Sequence, residues 1–364
     1  MYATNTNTGV GAHAKSGVSL YENLVYGKPE VRNRLMGRLY EKLKSTPLGG
    51  KKSWDIIDVG IGGGWLAQSL IEHVLQDDSS GPETINLVGV DTSKAMLLRL
   101  LTSIVNMCGG VSSLDEQKCR ALKESLSERG LPAKKLSFSV TSISGKTRVW
   151  VTLINKDFLE YASELSSYRF DICLIFFFFH HLGEAWHEGL AKVADILHAD
   201  DGIVVLSEIG GDHACWSSSF EDIYAIEHLL TDVQRRKYLE FVKKCLTLLK
   251  EEYGARRPSQ DVSAANVGPA VKALRELGFN STPRKPAISE EYERQIRTDD
   301  WLRAGGLRQG FSRTFSVFPT LSPDKKRELL GRLEEIAQNL DLDLHDQVNV
   351  KDRIKLYILQ RSTS

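Results

Sequence analysis

Short apolar runs alternate with helix-period stretches through the middle of the chain. Trp54–Val59, Ile85–Val90, Phe170–Phe178 and Gly202–Glu208 read as buried strands, being short, rich in β-branched or aromatic residues and bounded by turn residues. Helical spacing of apolar positions follows from about Trp65 to Leu75, Ser93 to Met107 and Glu184 to Leu197. This alternation predicts a parallel sheet covered by helices on both faces, and right-handed crossovers make it a doubly wound α/β fold.

Several segments stand outside the alternation. Residues 1–19 are rich in Thr, Asn, Gly and Ala without periodicity and read as a loose arm, followed by a helical stretch from Tyr21 to Lys44. Within 109–154, the β-rich runs Leu136–Val140 and Thr147–Ile154 flank Ser144-Gly145 and read as an inserted hairpin. Ser217–Tyr253 is a charged helical region. Leu321–Asn339 is a helix opened by Ser322-Pro323-Asp324, ahead of a last strand, Lys355–Leu359. The expected division is therefore an arm and helical cap over 1–50, a core over 51–210, a helical insertion or lid over 211–300, and a helix with strands completing the sheet over 301–364.

Composition narrows the function classes. The 364 residues are 41% hydrophobic and 26% charged, which is ordinary for a globular chain. Lys+Arg and Asp+Glu are both 47, so the basic surplus of a phosphate-tracking protein is missing and a nucleic-acid substrate is disfavoured. The longest apolar run, Ile172 to Phe179, suits a buried strand and is too short to span a bilayer. The first residues lack the cationic and apolar blocks of a signal peptide. Five scattered cysteines without a C-x-x-C pair fit reduced thiols in a cytoplasmic protein.

The candidate chemistry centres on Asp58-Val59-Gly60-Ile61-Gly62-Gly63-Gly64, which links an apolar strand to a helix. Glycines there let backbone approach a ligand beyond the carboxyl ends of the strands. The next strand ends in Asp91, whose two carboxylate oxygens suit a pair of ribose hydroxyls. A dinucleotide loop needs G-x-G-x-x-G or A. Counted from Gly60 the third position is Trp65, and counted from Gly62 it is Ala67, already inside the expected helix. The G-x-G-x-G form with a preceding acid suits S-adenosylmethionine, which has no pyrophosphate to cradle.

These residues resemble the Rossmann-like (class I) S-adenosylmethionine-dependent methyltransferases, particularly the group of UbiE-type and small-molecule enzymes. The resemblance covers roughly Trp54 to Glu208 and the terminal strand. Asp58 to Gly64 is similar to the first family motif, and Asp91-Thr92-Ser93 with Met96-Leu97 to the second, where the acid holds the ribose. Asn155-Lys156-Asp157-Phe158 resembles the third, implying that Asp157 meets the adenine amino group and Phe158 flanks the ring. Asp171 through Phe179 to His180-His181-Leu182 resembles the fourth, implying a backbone contact from Phe176 to the methionyl amine. The cofactor set so implied is Asp58, Gly60, Gly62, Gly64, Asp91, Thr92, Ser93, Asp157, Phe158 and Phe176. About sixty residues separate the second and third motifs, and four consecutive phenylalanines replace the family's usual mixture.

Methyl transfer from a sulfonium asks mainly for proximity and alignment, with a base where the acceptor must lose a proton. His180 and His181 stand where the fourth motif opens, and histidine has the right acidity for that role; capping of the next helix is the other reading. With His187 they lack a metal-ligand spacing, so no metal is expected. Glu208, Asp212, His213 and Trp216 are candidates for the acceptor side, and Tyr21 and Tyr26 for cofactor cover. The implied activity is methyl transfer to O, N or C of a small molecule. A protein or RNA methyltransferase, and a cofactor-binding scaffold without turnover, stay open beside it.

Overall fold

In a computed structural model of the chain, the described residues are 29–77, 79–111, 135–165, 168–176, 178–179, 182, 185–207, 232–253, 267–280, 287–297, 321–343 and 347–361. They fall into two compact units, one drawn from 29–209, 263–290 and 354–364, the other from 210–262 and 291–353.

The first unit is built on a sheet. Helix α1 (Pro29–Lys44) is followed by a 3-10 turn (Pro47–Gly50), β1 (Ser53–Val59), α2 (Trp65–Gln76), β2 (Thr84–Val90) and α3 (Lys94–Val111). Then come β3 (Lys135–Thr141), β4 (Arg148–Ile154), α4 (Phe158–Glu164), β5 (Ile172–Phe176), α5 (Trp186–Ile196) and β6 (Ile203–Ser207). Strands β4, β2, β1, β5 and β6 lie side by side in that order, all parallel. Beyond β6 the sheet continues antiparallel through β9 (Gln347–Arg361), with Ile203 opposite Gln360, and then the two-residue β7 (Phe279–Asn280). At the other edge β3 runs antiparallel to β4.

Three features go beyond the sequence pattern. The second run of the expected hairpin, β4, is itself a parallel sheet strand beside β2, and β3 extends the edge. Helix α7 (Val267–Glu276; α6 belongs to the other unit) and β7, which the sequence grouped with the helical insertion, are part of the sheet unit because Val267, Ala270, Val271 and Leu274 form a buried stripe. The terminal strand is far longer than its apolar stretch, and Ala287 N–H, just before β8 (Ile288–Arg297), donates to the Leu356 carbonyl.

Apolar faces decide the layering. Val31, Leu35, Leu39 and Leu43 of α1 are buried at helical spacing, with α1 packed on α2 and α2 on α3. On the other face, Phe158 of α4, Trp186, Leu190 and Val193 of α5, and the α7 stripe share a core with Ile57 and Ile175 of the sheet. Each such fully buried side chain contributes roughly 1.5–3 kcal/mol.

The second unit's described part pairs α6 (Asp232–Glu251) with α8 (Pro323–Asn339). Phe241, Cys245 and Leu248 are buried on α6, and Leu329, Leu333 and Ala337 on α8. Arg332 pairs with Glu252, and Lys237 with Asp341 at 2.8 Å. Ser322 caps α8 through the Lys325 N–H, as the Ser-Pro-Asp opening predicts.

Candidate active site: the glycine loop and its two aspartates

The parallel strands β1, β2, β4, β5 and β6 all end on one rim, where open α/β sheets bind ligands. Between β1 and α2 the chain turns through three left-handed residues, Gly60 (φ 71°), Gly62 (φ 54°) and Gly64 (φ 64°). Any side chain at these angles is strained. The turn is stitched to β2, since the Gly60 and Ile61 N–H groups both donate to the Val90 carbonyl at 2.9 and 3.1 Å. A Cβ at Gly60 would collide with the Phe178 ring, 2.2 Å away, whereas one at Gly62 would meet nothing closer than the Met96 methyl at 3.6 Å. Gly60 therefore admits the Phe178 ring, whereas at Gly62 it is the backbone angle rather than crowding that calls for glycine.

Asp91 holds this loop. Its Oδ2 accepts the Gly62 N–H at 2.9 Å and its Oδ1 accepts the Ser93 N–H at 2.6 Å. Burial raises the Asp91 carboxyl above the usual carboxylate range, and the two N–H donors pull against that rise. Thr92 is exposed beside it, and the Ser93 hydroxyl accepts the Met96 N–H at 3.4 Å in the first turn of α3. Asn155 at the end of β4 donates through Nδ2 to the carbonyls of Asp91 and Thr92, both at 3.0 Å. That amide fixes the β2 tip to the β4 tip. The family-like motif contains Asn155, but its spacing alone does not disclose this clasp.

Asp58, the last but one residue of β1, is 2% exposed. Burial first, and the nearby Asp91 carboxylate second, push its carboxyl well above the usual range. Cys173 on β5 is a fully buried free thiol, pushed up by burial and then by Asp58.

The remaining candidates fall into three places. Asp157 is exposed and caps α4, its Oδ1 accepting the Leu159 and Glu160 N–H groups at 2.8 and 3.3 Å. The Phe158 ring is turned into the core rather than exposed at the rim, 2% exposed and edge-on to Phe178 at 6.0 Å. Phe176 ends β5 opposite Ser207 of β6, whose buried hydroxyl has no hydrogen-bond partner among the described residues. His180, His181, Glu208, Asp212, His213, Trp216, Tyr21 and Tyr26 lie outside the described residues. Phe178, half-buried against Gly60, is a rim residue that four consecutive phenylalanines do not single out by sequence.

Two depressions of about 470 and 690 Å³ lie along α1 and the far end of α2, bordered by Tyr40, Lys44, His73 and Asp77 in one and Arg34, Arg38 and Glu290 in the other. Both are at the end of α2 remote from the glycine loop. Among the described residues no three His, Cys, Asp or Glu side chains group as metal ligands, and no helix is long and apolar enough to cross a membrane.

No protein-family model matches the sequence, and no curated protein matches it. Among solved structures, the chain is similar to a SAM-dependent methyltransferase from Archaeoglobus fulgidus (12% identity, 94% of this chain and 99% of that one, TM-score 0.35). It is also similar to a cyclopropane synthase from Mycobacterium tuberculosis (14%, 91% and 82%, 0.36). A third likeness is to a phosphoethanolamine N-methyltransferase of Haemonchus contortus (13%, 100% and 61%, 0.39). Identities and TM-scores this low transfer no activity. The fold class rests on the strand order itself: a doubly wound α/β sheet with one antiparallel strand set between β6 and β7.

Proposed function

We propose that this chain is an S-adenosylmethionine-dependent methyltransferase acting on a small-molecule acceptor. The observation that carries the reading is the Asp91–Gly62 bond, which fixes a loop of three left-handed glycines beside a carboxylate at the strand tips. Such a site suits a nucleoside with an uncharged linkage, because no backbone cradle for pyrophosphate follows it.

In this reading Asp91 accepts the ribose hydroxyls with the lone pairs its two N–H donors leave free. Asp157 offers the adenine amine its Oδ2, which takes no described hydrogen bond. Gly60 and Gly62 bring backbone against the methionyl part, and Phe176 supplies a carbonyl at the β5 tip. The bound group supplies a methyl on a sulfonium, an excellent leaving group. The chain's task is then alignment and exclusion of water, with Phe176 and Phe178 as apolar wall. A base, where the acceptor needs one, is assigned to His180 or His181. The zero net charge supports a small acceptor over a polyanionic one.

The acceptor class is tested by incubating the protein with methyl-labelled S-adenosylmethionine and a cell extract split by size. Label in the small-molecule fraction is expected. Label confined to protein or RNA contradicts the acceptor assignment.

A further inference from the structure

Asp58 and Asp91 stand at the tips of neighbouring parallel strands, with Asp58 opposite Gly89 in register. Asp91 has two backbone donors, but Asp58, buried to 2% exposure, accepts no hydrogen bond from any described group. Among the described residues around the pair, no positive charge offsets the two acids. From β5 comes the Cys173 thiol, and from β4 the neutral Asn155 amide. The glycine loop contributes no ionisable side chain. From α3, Met96 and Leu100 face the loop, while Lys94 and Arg99 are exposed. The nearest titratable groups of α2, Glu72 and His73, are in its second half, where His73 bonds the Asn33 carbonyl. A buried carboxyl in such company holds its proton.

We propose that the Asp58–Asp91 pair is a proton-for-cation exchange site, in which a ligand with net positive charge enters the cleft as Asp58 gives up its proton to solvent. This rests on the donor reading above and deepens it. The donor carries a sulfonium, an ammonium and a carboxylate, one net positive charge; its thioether product carries none. Charge balances: Asp58 changes from neutral acid to carboxylate, the ligand brings one positive charge, and one proton leaves. The same exchange favours the donor over the product, since one unit charge inside a protein interior is worth about tenfold or more in affinity. It also weakens donor binding in acid, by about tenfold per pH unit below the titration of Asp58.

The test is titration calorimetry with S-adenosylmethionine and with S-adenosylhomocysteine, in phosphate and in Tris, between about pH 6 and 8. The difference between buffers counts protons. Wild type is expected to release protons as the donor binds, more of them toward the acid end of the range, and to bind the product more weakly. Asp58→Asn, which keeps shape without charge, is expected to bind the donor with no proton release, a flat pH profile and a narrower gap between donor and product. Donor binding without proton release, or with equal release in Asp58→Asn, overturns the exchange and leaves the donor reading standing. Absence of donor binding at every pH overturns the donor reading and the exchange with it.

Ligand-free stability gives an independent check. Above the ordinary carboxylate range the native state keeps a proton on Asp58 that the unfolded chain has lost, so stability falls as pH rises. Asp58→Asn removes that part of the slope in thermal melts. A wild-type slope identical to that of Asp58→Asn overturns the exchange.

Discussion

At one rim of the sheet Asp171 is buried with partners, and at the opposite rim Asp58 is buried with none among the described residues. Asp171, 4% exposed just before β5, accepts the Lys51 ammonium at 2.6 Å and the Asp55 N–H at 2.8 Å. Lys51 also reaches Asp201 at 2.7 Å, and its bonds to both acids raise its pKa although burial works against the charge. This rim closes β1, β5 and β6 at their amino ends. Asp58, on the same strand as Asp55, has no described donor and a second acid for a neighbour. Two buried acids three residues apart along the fold's central strands thus differ in satisfaction, not in burial. A buried acid with hydrogen-bonding partners recovers much of its desolvation cost, and one without them does not.

The contrast can be broken from either end. The largest expected stability effect is Asp171→Ala, which strands the Asp55 N–H and leaves Lys51 with Asp201 alone. Because Lys51 is a third exposed, the cost is set at about 3 kcal/mol, at the low end for a broken buried pair, read by denaturant unfolding. Donor affinity in the folded variant should be unchanged, as Asp171 bonds Asp55 and Lys51 and makes no described bond to the glycine loop. Next is Asn155→Ala, which removes two hydrogen bonds holding the β2 tip and should cost about 1–2 kcal/mol. Unlike Asp171→Ala it should also weaken donor binding, since the released tip carries Asp91. The smallest is Asp157→Ala, at about 1 kcal/mol for the lost α4 cap, measured in the same way. Its effect on donor affinity separates the adenine role from the capping role, because a cap alone leaves affinity intact.

Those elements legible in sequence are the ones whose signals are local. The β1–loop–α2 passage needs only an apolar strand, spaced glycines and a helical period, and Asp91 follows from its place at a strand tip. The roles of Asn155 and Phe178, and the lack of a described donor to Asp58, depend on what lies across the fold, more than a hundred residues away for Phe178 and Gly60. The sheet position of β4 escapes for the same reason. A turn signal between two strands marks a hairpin, but it does not say that one of them also pairs with β2, 64 residues earlier in the Val149–Ile85 register. Helix α7 escapes because its apolar stripe shows a buried face without saying against which unit it is buried.

The central claim, a donor site built on the Asp91–Gly62 bond, is tested most directly by calorimetric titration of the purified protein with S-adenosylmethionine beside its Asp91→Ala variant. The account predicts one site per chain in the wild type and at least a hundredfold weaker binding in the folded variant, about 2.7 kcal/mol. Equal affinity in the two proteins, or no binding by the wild type, would contradict it.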